Sequence, residues 1–143
     1  MTETNTYQLH IPAESEKLPE VLSFLDRYLE EKGCSIRTQM QLDVAIEEVF
    51  VNIAHYAYPK NPGGAEMTLS FEQDSSGRDL VRIVFRDRGI PFDPLQHVDP
   101  DITLPAIERQ IGGLGIFMVK KSMDEVYYTR ENDHKVLTII KYL

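Results

Sequence analysis

The chain has 143 residues, 42% of them hydrophobic and 27% charged, which suits one domain with a real core. Its net charge of −8 comes with no basic patch, which excludes direct nucleic-acid binding, and no apolar run is long enough to cross a bilayer. Met1-Thr2-Glu3-Thr4-Asn5 holds no signal-peptide pattern, and the single Cys34 fits a reducing cytoplasm as a small packed side chain.

Thr6–Ile11 alternates weakly and is expected to form a strand ending at Pro12. Leu18, Val21, Leu22, Leu25 and Leu29 recur at helical spacing, predicting a helix over 13–31 that stops at Gly33. A second helix is expected from about Thr38 to Tyr56, ending before Pro59, and Lys60–Gly64 reads as a turn. Two strands follow, Glu66–Gln73 and Asp79–Arg86, joined at Asp74-Ser75-Ser76-Gly77 as a hairpin. Over residues 89–115 the apolar periodicity lapses and prolines recur at 91, 94, 100 and 105. So long a stretch inside a small domain reads as a functional loop or lid. A helical pattern resumes over Ile116–Met123, and Glu125–Arg130 and Val136–Leu143 complete the strands. The order β-α-α-β-β-lid-α-β-β predicts a single α+β domain over 1–143, a two-layer sandwich whose mixed or antiparallel sheet carries its helices on one face.

Three segments carry candidate chemistry. On the second helix, Leu42, Ala45, Ile46, Val49 and Ile53 form the sheet-facing stripe, and Glu48 and Asn52 sit one turn apart on its flank. Facing a cleft, Asn52 would offer its side-chain oxygen to Mg2+ and Glu48 would act as a base; a solvated helix edge gives the same pattern. His55, a step further on, fits a helix-end histidine satisfied by backbone. At the end of the strand Leu80–Phe85, Asp87 and Gly89 open the long loop. There the carboxylate would accept from an amino group and the glycine would let a flat ring approach; a β-turn uses the same residues. Phe92 would wall a ring pocket or pack, and Asp93 would cap the next turn. Gly112-Gly113-Leu114-Gly115 opens a helix with bare amides suited to a phosphate, although helix-start glycines also occur without a ligand. Neither a Walker loop nor a dinucleotide fingerprint is present, since no Gly-Lys-Ser/Thr follows and no βαβ unit surrounds it.

Taken in order, acidic-x-x-x-Asn on a helix, Asp-x-Gly-x-x-Phe after a strand and a glycine-rich lid end resemble the GHKL ATP-binding fold of gyrase, Hsp90, histidine kinases and MutL. Within it the chain is most similar to the single-domain anti-sigma-factor serine kinases of the RsbW and SpoIIAB type. Leu42–Asn52 with Ala54–Tyr58 resembles their N box, Asp87–Asp93 the G1 box, and Gly113–Val119 with Met123–Val126 the G2 box and the helix after it. The resemblance covers nearly the whole chain and implies ATP or ADP with Mg2+ as ligands. It makes Glu48 the general base, Asn52 the Mg2+ ligand, Asp87 the reader of the adenine amine and Gly89 its neighbour beside the ring. It also makes Phe92 a wall of the nucleotide pocket, Gly113, Leu114 and Gly115 the lid end near the phosphates, and Thr138 the strand threonine that helps hold adenine. The family's lid arginine has only Arg109 as a candidate, set off from Gly113 by three residues, and a salt bridge explains Arg109 equally well. The turn Glu131–Lys135 lacks the glycine that often precedes the threonine. The implied activity is phosphoryl transfer from ATP to a serine of a STAS-domain anti-sigma-factor antagonist. A sigma factor is the implied second partner and a homodimer the implied assembly. The alternative is a nucleotide-gated binding module without phosphotransfer, which needs Asn52 and Asp87 but has no use for Glu48.

Overall fold

The protein is seen in a computed structural model that describes residues 5–58, 62–89 and 119–143. Strand β1 (Asn5–Pro12) leads through a 3-10 turn at Ser15–Lys17 into helix α1 (Leu18–Glu31). The helix starts later than its apolar spacing predicts, and Pro19, which has no N–H to give, stands in its first turn. Gly33 ends it at φ 70°, with Gly33 N–H donating to Glu30 O and Cys34 N–H to Leu29 O. These bonds satisfy carbonyls that the helix leaves open.

Helix α2 (Ile36–Tyr56) begins where Ser35 accepts from the Thr38 N–H at 3.1 Å, a cap that starts it two residues before the expected Thr38. Strands β2 (Gly64–Gln73) and β3 (Asp79–Asp87) form the expected hairpin. Its turn is tied by Asp74 Oδ1, which accepts from the Ser76 and Arg78 N–H groups and the Ser76 hydroxyl. Residues 119–122 are helical, and β4 (Glu125–Glu131) and β5 (His134–Tyr142) close the chain.

All four ladders are antiparallel, in the order β1-β2-β3-β5-β4. Alternation along the strands puts Met67, Leu69, Ile83, Phe85, Leu137 and Ile139 on one face. They join Val21, Leu25 and Leu29 of α1 and Leu42, Ile46, Val49, Phe50 and Ile53 of α2 in one core. Each such side chain contributes about 1.5–3 kcal/mol by leaving water. The expected two-layer α+β sandwich is therefore present, with its sheet antiparallel throughout. Among the described residues no helix is long and apolar enough to cross a membrane.

Candidate functional site

Helix α2 delivers the first pair. With its core stripe pinned to the sheet, Glu48 and Asn52 fall on its half-buried flank. Asn52 Nδ2 donates to the Glu48 backbone oxygen at 2.8 Å and to Glu48 Oε1 at 3.1 Å. The amide nitrogen thus fixes the carboxylate, and the amide oxygen, the atom a hard cation takes, stays outside that pair. Among the described residues no group of three or more His, Cys, Asp or Glu could hold a metal ion. A cation beside Asn52 would draw its other ligands from phosphate and water, as Mg2+ commonly does. His55 is exposed and stacks edge-on with Tyr56.

Strand β3 delivers the second. Asp87 lies on the same side of the sheet as Phe85, Ile83 and Val81 and is buried. Its Oδ1 accepts from the Gly89 N–H at 2.9 Å, and its Oδ2 lies 3.7 Å from the Lys135 ammonium. Burial pushes its pKa up, and the Lys135 charge followed by the Gly89 N–H pulls it back. The end of α2 supports this corner. The Tyr58 hydroxyl accepts from the Arg88 N–H at 2.9 Å and donates to Gly64 O at 2.7 Å. Burial raises the Tyr58 pKa, keeping the phenol protonated for that second bond. Gly89 is required for a reason its sequence context did not show. A Cβ there would stand 2.5 Å from the Cβ and backbone oxygen of Ala57. The missing side chain lets the loop start against α2. An open cleft of about 720 Å3 lies beside this corner, with Asp87, Arg88, Tyr58, Pro62 and His134 among its walls.

Thr138 does not join this corner. It is buried, but it pairs with Val84 and Tyr127 on the sheet side opposite Asp87. The residue across from Asp87 is Lys135. The threonine assignment is therefore corrected: strand alternation carries residue 138 to the wrong face, and residue 135 occupies the rung beside the carboxylate. Lys135 was missed because the apolar run starts at Val136, which put the lysine in a five-residue turn. The turn is only Asn132-Asp133, at φ 49° and 65°, a conformation these two residue types tolerate in place of glycine. Phe92, Asp93, Arg109, Gly113, Leu114 and Gly115, with the rest of the expected lid beyond Gly89, lie outside the described residues.

The family comparison matches residues 11–141 to the histidine kinase-like ATPase domain. The chain belongs to that family. It is 28% identical to the serine-protein kinase RsbW of Staphylococcus epidermidis, over all of this chain and 91% of that protein. It is 24% identical to RsbW of Staphylococcus aureus strain JH9, over 95% of this chain and 86% of that protein. Among solved structures, the RsbU and RsbW domains of a Mycobacterium tuberculosis protein superpose with TM-score 0.63 at 16% identity, over 96% of this chain. This chain spans only 32% of that structure. The SiaB–SiaC complex of Pseudomonas aeruginosa gives TM-score 0.54 at 16% identity, over 96% of this chain and 89% of the matched one. Both structures speak for the fold.

Proposed function

We propose that this chain is an ATP-dependent serine protein kinase of the RsbW type, acting on a STAS-domain anti-sigma-factor antagonist. The observation that carries the reading is the Glu48–Asn52 pair. A carboxylate one turn from an amide and held by it at 3.1 Å is oriented for use as a base, which a pure nucleotide binder does not need. The near full-length likeness to RsbW kinases supports it.

In this reading Asp87 accepts from the adenine amine, while Gly89 fixes the carboxylate through its N–H. Asn52 turns its amide oxygen toward a magnesium ion, which supplies charge neutralisation on the phosphates when bound. Glu48 accepts the proton of the incoming serine hydroxyl. The serine oxygen forms its bond to the γ-phosphorus as the bond to the β-bridging oxygen breaks, and ADP leaves. Phe92 at the ring and Gly113, Leu114, Gly115 and Arg109 near the phosphates complete the set by resemblance. A sigma factor as second partner and a homodimer as the assembly belong to the same reading.

The test is a phosphotransfer assay with Mg-ATP and cognate STAS proteins, run for the parent and Glu48→Gln. The Gln keeps an oxygen for Asn52 and loses only basicity. ATP binding should hold, and transfer should fall by about 10²–10⁴-fold, with the lower end expected for a loose transition state. Loss of binding as well would make Glu48 a structural residue. An inactive parent across all partners would leave a nucleotide-gated binding module as the function.

A further inference from the structure

The three most exposed large apolar side chains among the described residues belong to one helix. Ile36, Met40 and Val44 of α2 are 78%, 62% and 59% exposed. They stand four residues apart and so form a single ridge along the helix surface. Ile36 and Val44 are β-branched and lend a solvent-facing helix little, where Ala, Glu or Lys would serve it better. Local structure therefore gives no reason for apolar residues at these positions. Three of them in line make a patch, whereas single exposed apolar residues need no explanation.

The same four-residue steps run on from Val44 to Glu48 and Asn52. With about 3.6 residues per turn, each step of four advances about 40° round the helix axis. The row therefore starts on the outer face at Ile36 and winds onto the half-buried flank at Glu48. Along the axis, Val44 lies about 6 Å and Ile36 about 18 Å from Glu48. Whatever covers the ridge is thereby led to the carboxylate assigned as base. Arg37, also exposed, borders the ridge at the end far from Glu48.

We propose that this ridge is the docking surface for the protein that carries the acceptor serine. An apolar strip of that protein, with an acidic group toward Arg37, lies along Ile36, Met40 and Val44. Its serine then stands one helical turn beyond the ridge, at Glu48. This inference rests on the kinase reading and deepens it by naming how the substrate is held. The area favours this occupant over a second copy of the chain. Three side chains offer a few hundred Å2 of apolar surface, below the roughly 800 Å2 per partner of a stable interface. A contact of that size suits a partner that must leave after transfer.

The experiment is steady-state phosphotransfer with Mg-ATP, using as acceptor the STAS protein that the parent phosphorylates. The double variant Met40→Gln/Val44→Gln should raise the KM for that protein about tenfold or more, with kcat within about twofold and ATP affinity unchanged. Both positions are exposed and Gln is a good helix former, so the fold is kept. Met40→Leu/Val44→Ile keeps the ridge apolar and should hold KM within about twofold of the parent. An unchanged KM in the Gln variant overturns the docking surface and leaves the kinase reading standing. Sedimentation velocity of both proteins tests the other occupant: a parent dimer that the Gln variant splits into monomers overturns the proposal in favour of a second copy. A parent that phosphorylates no STAS protein brings down the kinase reading and this inference with it.

Discussion

Between α1 and α2 two carboxyl groups face each other, and that contact should make the protein lose stability as pH rises through neutrality. The Oδ1 atoms of Asp26 and Asp43 are buried without an N–H or O–H donor among the described residues. The two side chains are nonetheless in hydrogen-bonding contact. Two carboxylates have no proton to share, whereas a carboxylic acid beside a carboxylate does. Burial first, then Asp26, Glu30 and Glu47, raises the Asp43 pKa from 3.8 to about 7. The folded state therefore holds a proton that the unfolded chain releases. By linkage this contribution is complete below about pH 3.8 and is lost as pH climbs through about 7.

The interval is about three pH units at about 1.4 kcal/mol each, an upper limit of about 4 kcal/mol. Asp43 is only half-buried, so solvent screening brings the expectation to about 2 kcal/mol. Asp43→Asn removes the titration and supplies a permanent donor to Asp26. Urea unfolding of parent and variant across pH 5 to 8 isolates the effect of the pair, because groups remote from Asp26 and Asp43 cancel in the difference. The variant should gain on the parent up to about pH 7 and then hold an advantage of about 2 kcal/mol to pH 8. A difference that stays flat across that range, or a variant that falls behind at high pH, refutes the shared proton.

Asn52→Ala should abolish the dependence of nucleotide affinity on Mg2+, measured by titration with and without the ion; unchanged dependence would take Asn52 out of the site. Gly89→Ala should cost about 1–3 kcal/mol in urea unfolding, because its Cβ would meet the Ala57 backbone 2.5 Å away. It should also weaken nucleotide binding by displacing the N–H that fixes Asp87; a stability change below about 0.5 kcal/mol would mean the corner relaxes freely.

What was legible in the sequence and what was not divide along a physical line. The α2 stripe, the β2–β3 hairpin and the strand-end Asp87 are local patterns, each written in residues a few positions apart. So is the Glu48–Asn52 pair, since one helical turn sets both its spacing and its hydrogen bond. Register is different, because it depends on which residues of two strands far apart in the chain meet. β5 pairs antiparallel with β3, and that ladder sets Lys135 and not Thr138 opposite Asp87. Gly89 shows the second limit. Its sequence context suggests room for a ligand, while its contact with Ala57 is made by a helix more than thirty positions earlier in the chain. The residues that sequence misplaced are thus those whose partners are set by closure of the sheet and by packing of α2 onto it. They lie at the corner where the base is proposed to bind, where the β3–β5 ladder and the packing of α2, and not the motif alone, place Asp87 and Gly89.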